Sequence, residues 1–280
     1  MVRDFSTQRE VFEKITVAAI SLDDPTTAEQ EMDRAFAALL RYRRPIYIEI
    51  PRDLVHTSLT HPLRPLCLDD EPSDTAALDE AIAEVLTMLA SAKRPAILAG
   101  AEIARFGLQD DLTGLVERLN VPIASTLMGK SVIREDHPLY VGIYGGFIAR
   151  DEVQQFINQS DCLLILGSIL SDVEDLNADS PLMTGGRTIH ATADRIAIKH
   201  HRYDTIRFHD FVRALVTNPL PSFPSRPLPA PLAVEQSAIA PDAPVTLTGL
   251  FRQLDSLLNE HTLVIADVGE SLFAAADLHV

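Results

Sequence analysis

The chain has 280 residues, 46% of them hydrophobic, and a formal net charge of −16 at neutral pH. That length and apolar content suffice for one large or two modest domains with buried cores, which excludes wholesale disorder. So acidic a balance excludes nucleic acid and anionic membranes as expected partners, because both select clustered Lys and Arg.

No apolar run has the length of a membrane span. The opening MVRDFSTQRE lacks the apolar core and small-residue cleavage site of a secretory signal. The two cysteines, Cys67 and Cys162, are far apart, and Cys162 sits in an apolar run. A buried thiol and a reducing, cytoplasmic compartment are the expectation.

Residues 1–56 read as a helix feeding a strand. Asp24-Pro25 reads as an N-cap and a first-turn proline, and Met32, Phe36, Leu39 and Leu40 recur at helical spacing. Pro45-Ile-Tyr-Ile-Glu-Ile-Pro51 is a short β-rich run. Residues 57–73, with Pro62, Pro65 and Pro72, read as a linker.

A second unit is expected at 74–217. Leu78, Ile82, Val85, Leu86 and Leu89 form one helix face, and Pro95-Ala-Ile-Leu-Ala-Gly100 reads as a strand ending in a turn. Leu108, Leu112, Leu115, Val116 and Leu119 form a second face, followed by strand Val121–Ser125. A glycine-rich stretch, Gly142 to Gly146, precedes a helix around Val153–Ile157. Cys162-Leu-Leu-Ile-Leu166 is the strongest strand, Arg187–Thr192 another, and a helix covers about His209–Val216. Strands alternating with amphipathic helices imply βαβ units, hence an α/β, doubly wound, Rossmann-like and mainly parallel sheet flanked by partial α/β units.

Residues 218–244 hold eight of the 18 prolines, a density that breaks helix and strand and reads as an extended linker. Residues 245–280 then open a third, incomplete unit. Thr246 is its expected N-cap, Leu247 to Leu258 its helix, Leu263–Ala266 its strand, and Asp267-Val-Gly-Glu-Ser271 a turn into another helix.

Three stretches resemble thiamine-diphosphate enzymes. Ile15-Thr-Val-Ala, then Ala28, Met32-Asp-Arg-Ala35 and Arg44-Pro-Ile-Tyr-Ile-Glu-Ile-Pro51-Arg-Asp53 resemble the end of their pyrimidine-binding domain. Arg94–Gly100, Val121-Pro122, Leu127-Met-Gly-Lys130, His137-Pro138, Gly142-Ile-Tyr144, Ser160-Asp161, Leu166-Gly-Ser168 and Ser171-Asp172 resemble their central domain in order and spacing. Val264-Ile-Ala-Asp-Val-Gly-Glu-Ser-Leu-Phe273 resembles the opening of the diphosphate-binding domain. Gly142-Ile-Tyr144, Ser171-Asp172 and the run Asp204–Leu215 are more similar to pyruvate and indolepyruvate decarboxylases than to acetolactate synthases.

The resemblance implies a 2-oxo acid substrate, thiamine diphosphate and Mg²⁺ as cofactors, and a homodimeric or homotetrameric parent. It also implies that the activating glutamate and paired histidines belong upstream of this chain, and the metal motif downstream. The chain alone is therefore expected to be inactive. The family's cofactor-facing turn carries over onto Asp267, Gly269, Glu270 and Ser271. Val268 and Glu270 depart from the hydroxyl residues usual there. The competing reading is that Asp267 or Ser271 merely caps the next helix.

His200-His201, beside Lys199 and Arg202, reads as a solvated basic turn rather than a catalytic pair. Glu49 reads as a strand residue, and Asp161 and Asp172 as turn or cap residues. The glycines at 142, 145 and 146 do not make a dinucleotide fingerprint. An acetolactate synthase-like carboligase, whose central domain can hold flavin, and a non-catalytic nucleotide- or partner-binding module are the alternatives.

Overall fold

Backbone contacts divide the chain into two units, Met1–Pro72 and Ser73–Val280. The structure, a computed structural model, describes residues 4, 6–59, 72–145, 149–169, 186–230, 244–259, 261–276 and 278. Cys67, Gly146, Ser171 and Asp172 lie outside these residues, as do Pro62 and Pro65.

The first unit is one βαβ element with a helix before it. Helix α1 (Thr7–Glu13) precedes strand β1 (Ala19–Ser21), helix α2 (Ala28–Tyr42) and strand β2 (Tyr47–Glu49). β1 and β2 pair in parallel, with Ile20 opposite Ile48. Ala18, Ile20 and Ala35 form the small core, with Met32, Ile46 and Ile48 packed on it. Phe12 stacks on Tyr47 with ring centroids 4.4 Å apart.

The Asp24 expectation needs correction. α2 starts at Ala28, with Thr27 at the N-cap position. Asp24 instead closes the preceding turn: its carboxylate accepts from the Thr26 N–H (2.8 Å) and hydroxyl (2.7 Å). An Asx-type turn before proline competes with the helical cap for the same side chain.

In the second unit, helix α3 (Thr75–Ser91) is capped by Asp74, whose carboxylate accepts from the N–H groups of Ala76 and Ala77. Strand β3 (Pro95–Ala99), short helix α4 (Glu102–Arg105), helix α5 (Gln109–Leu119) and strand β4 (Ile123–Ser125) follow. Then come strand β5 (Tyr140–Ile143), helix α6 (Asp151–Asn158), strand β6 (Cys162–Leu166) and strand β7 (Thr188–Ala191). Strands β8 (Ile196–Ile198) and β9 (His201–Tyr203) lead to helix α7 (Phe208–Thr217).

The sheet has seven strands in the order β5-β4-β3-β6-β7-β8-β9. Pairing is parallel from β5 to β7 and antiparallel through β8 and β9. Both faces of β3 and β6 are covered. Ile97, Ala99, Leu164 and Leu166 join the core with α3, α5 and α7, while Ala96, Leu98, Leu163 and Ile165 join Val153 and Ile157 of α6. That explains why these strands read as unbroken apolar runs rather than alternating ones.

Residues 218–230 form no helix or strand, yet they are fastened along the domain. The Phe223 N–H donates to Leu119 O (2.8 Å), Asn120 Nδ2 to Phe223 O (2.8 Å) and Arg226 to Pro95 O (2.8 Å). The Arg226 guanidinium lies 4.3 Å from the Phe156 ring centre. Proline-rich backbone has few donors of its own, so side chains and the ends of a helix and a strand of the domain fix it.

Helix α8 (Leu247–Asp255) follows the N-cap Thr246, whose hydroxyl accepts from Gly249 N–H at 3.1 Å, and helix α9 (Glu270–Ala275) is the last element. The strand expected at Leu263–Ala266 does not form: residues 262–267 carry no ladder among the described residues. Leu263 and Ile265 are 83% and 87% exposed. β-propensity without a neighbouring strand to supply donors and acceptors does not make a strand.

Candidate functional site

Two places have the geometry of a ligand site. The first is the carboxyl end of the sheet beside β3, where the chain order reverses: β4 and β5 lie on one side and β6 on the other. Ligands bind at such switch points in open α/β sheets, using free backbone N–H groups. Three of the amides at this end are spent internally. Gly100 N–H donates to Leu166 O (2.8 Å), Glu102 N–H to Gly167 O (3.0 Å) and Gly167 N–H to Ala191 O (2.8 Å). A Cβ placed on Gly100 would lie 2.3 Å from Gly167 O.

Buried polar groups complete the closure. Glu102 is fully buried and its carboxylate accepts the Ala193 N–H at 2.9 Å. His190 is 4% exposed, and its Nε2–H donates to Ser168 O at 2.8 Å. Burial holds the His190 imidazole below its ordinary range, and the bond to Ser168 offsets this only in part.

A pH effect follows from that direction. The unfolded chain takes up a proton near pH ~6.5 while the folded imidazole resists it. His190 therefore contributes stability above that pH, and the contribution is lost as pH falls through the lower folded value. Urea midpoints across pH 5–8 should drop on the acid side, and His190→Gln should flatten the drop. An unchanged acid limb in the variant would refute this role.

The second place is the turn 267–271. Gly269 is the residue before α9, at φ 133° and ψ −160°, a conformation open essentially to glycine alone. Nothing lies within 4 Å of where its Cβ would be, so the backbone is accessible from outside. The Asp267 carboxylate accepts the Val268 N–H at 2.8 Å, and the Ser271 hydroxyl donates to Asp267 O at 3.0 Å. Neither side chain caps the helix, because α9 has no side-chain cap. The capping reading is thus corrected: each side chain closes the turn itself.

Asp267, Glu270 and Ser271 are exposed, and Val268 is 85% exposed. The structure therefore brings the four expected residues into one open turn. Its backbone suits close approach of a phosphate, whereas two carboxylates in five residues do not attract one. Among the described residues, no group of three or more His, Cys, Asp or Glu is placed to hold a metal ion.

Residues 82–218 match the model of the thiamine pyrophosphate enzyme central domain. This stretch belongs to that family. The match covers α3 from Ile82, the whole seven-stranded sheet and α7. Relatives extend the likeness on both sides of the central domain. An indole-3-pyruvate decarboxylase from Azospirillum brasilense is 31% identical, covering 99% of this chain and 50% of the relative. A pyruvate decarboxylase from Candida glabrata is 28% identical, over 96% of this chain and 48% of its own length. Pyruvate decarboxylase isozyme 1 of Saccharomyces cerevisiae is 26% identical, with the same two coverages of 96% and 48%. The chain thus spans about half the length of the curated relatives it matches.

Other polar groups singled out in the chain lie in turns and at strand ends. His200 lies in the tight turn between β8 and β9, and His201 opens β9, its ring 3.0 Å from the Glu84 carboxylate. Asp161 accepts from the N–H groups of Lys93 (2.9 Å) and Arg94 (2.8 Å), tying the start of β6 to that of β3. In the first unit, Glu49 sits in β2 and accepts from the Tyr47 hydroxyl at 3.2 Å.

Glu102 and His190 escaped sequence reasoning. A lone Glu and a lone His carry no spacing signal, and only their burial sets them apart. Cys162 is buried as expected, and burial pushes its thiol up to about 12. Alkylation near pH ~8 should leave Cys162 unlabelled in the native chain and label it in urea, with peptide mapping separating it from Cys67. Native labelling of Cys162 would contradict its burial.

No helix of the described residues is long and apolar enough to cross a membrane.

Proposed function

We propose that this chain is part of a thiamine-diphosphate- and Mg²⁺-dependent non-oxidative 2-oxo acid decarboxylase that works in the cytoplasm as a homo-oligomer. The observation that carries the reading is the extent of the likeness. Named decarboxylases align with 96–99% of the chain, well beyond the central domain at 82–218. The layout that fits is a pyrimidine-domain end at 1–56, a linker at 57–73, the central domain at 74–217, a second linker at 218–244 and the start of a diphosphate-binding domain at 245–280.

In this reading Gly269 lets the backbone meet the diphosphate, the 269–271 amides orient it, and the Ser271 hydroxyl exchanges its bond to Asp267 O for one to the cofactor. Glu270, already exposed, must stay turned to solvent. The cofactor would supply an electron sink for the carbanion left when CO2 departs. The central domain contributes a rigid support, three of its own switch-point amides being occupied.

Two assays test this. The 280-residue chain with thiamine diphosphate and Mg²⁺ should release no CO2 from pyruvate or indolepyruvate, because half the length of its relatives is outside it. A longer protein that includes its flanking coding sequence should release CO2, and Gly269→Val in that protein should raise the cofactor Kd more than about tenfold. Turnover by the 280-residue chain would refute its inactivity alone, no CO2 release by the longer protein would overturn the decarboxylase assignment, and an unchanged Kd in the variant would overturn the role of the turn.

A further inference from the structure

Lys130 follows the 3-10 turn Leu127–Gly129 that leaves β4. Its ammonium is 2.6 Å from the Glu135 carboxylate, with the two side chains 17% and 8% exposed. The same nitrogen donates to Ala276 O at 3.1 Å and to Leu278 O at 2.7 Å. An ammonium has three hydrogens, and all three are used. Ala276 is the C-cap of α9, so Lys130 satisfies carbonyls at a helix C-terminus, where unpaired C=O groups favour a cation.

The burial pattern agrees. Ala275, Ala276 and Leu278 are 7%, 5% and 4% exposed, whereas Ser271 at the other end of α9 is exposed. α9 spans six residues, roughly 9 Å at the helical rise. One end of this short rod is held by the central domain, and the other carries the 267–271 turn.

We propose that Lys130 is a positioning residue: its clamp on the carbonyl end of α9 fixes where the Asp267–Ser271 turn stands against the central domain. Glu135 holds the ammonium in place and offsets its charge in a site with little water. The consequence for cofactor binding rests on the proposed reading of the turn; the clamp itself does not.

Amide hydrogen exchange on the full chain tests the clamp. Lys130→Met is made together with Glu135→Gln, so that no buried carboxylate is left alone. Exchange at Leu272, Phe273 and Ala276 should rise by about tenfold or more, while amides of β3 and β6 keep their protection. Lys130→Arg, which keeps charge and donors, should stay near the parent. Unchanged exchange at 272–276 in the double variant would overturn the clamp.

Should the double variant lose protection throughout, Glu135→Gln alone decides. A smaller rise confined to the α9 amides supports the clamp, and no rise refutes it. In the longer protein, thiamine diphosphate affinity should fall more than about tenfold in the Lys130→Met, Glu135→Gln variant. Equal affinity in parent and variant would refute the positioning role while leaving the turn's assignment intact. A parent that binds no cofactor, with exchange still responding, would refute the turn's assignment and leave the clamp standing.

Discussion

Gly100→Ala is expected to cost the central domain more than about 3 kcal/mol, enough that the variant folds poorly or not at all. The added methyl would lie 2.3 Å from Gly167 O, 2.4 Å from Ser168 Cα and 2.6 Å from Gly167 C. All three are backbone atoms, so no rotamer change relieves the clash. β3 and β6 would have to separate at the carboxyl end, breaking the Gly100 N–H to Leu166 O bond. β3 and β6 are adjacent central strands, paired from Pro95–Cys162 to Ala99–Leu166, so the strain cannot be passed to an edge. Gly114→Ala is the matched control. Gly114 lies within α5 with nothing within 4 Å of its Cβ position, and alanine there should stabilise by about 0.5–1 kcal/mol. Urea unfolding of both variants provides the comparison. A Gly100→Ala protein within ~1 kcal/mol of the parent would show that the two strand ends do not meet in this way.

Phe208→Ala should cost about 3–5 kcal/mol, the range for emptying a buried aromatic site. Phe208 opens α7, is 1% exposed and belongs to the larger core. Its ring meets Phe106 edge-on, with centroids 5.5 Å apart and planes at 75°, which adds to the loss. Its tip is 3.2 Å from where a Gly167 Cβ would stand, so it fills the space under the β6 turn. Phe208→Leu, keeping most of the volume, should cost clearly less. Equal losses for Ala and Leu would point to the aromatic contact alone rather than to the cavity.

Much of the central domain was legible because its signals are local. Leu78, Ile82, Val85 and Leu89 recur at helical spacing; the last three are buried in α3 with Leu78 half-buried beside them, and the Cys162–Leu166 run is a strand buried on both faces. The missed elements lacked such signals. β8 and β9 are three residues each, and the turn between them passes through Lys199 at φ 52° without the glycine or asparagine that normally marks a hairpin. β5 hides because Gly142 interrupts its apolar pattern. The candidate turn was legible through resemblance, since Asp267, Gly269, Glu270 and Ser271 are contiguous. Lys130 was legible only as part of Leu-Met-Gly-Lys, because its partners at 276 and 278 are far along the chain.

The turn at 267–271 therefore divides the two kinds of information. The amino-acid sequence by itself determined the class of fold and the order of most elements, while the turn was singled out by its resemblance. Periodicity and backbone preference act over a few residues and can be read there. Only the tertiary structure decided what the groups around that turn do. It showed that three switch-point amides are already bonded, that Leu263–Ala266 has no strand to pair with among the described residues, and that Lys130 reaches the end of α9. Each depends on atoms distant in sequence meeting at hydrogen-bond or van der Waals distance, which no local pattern records.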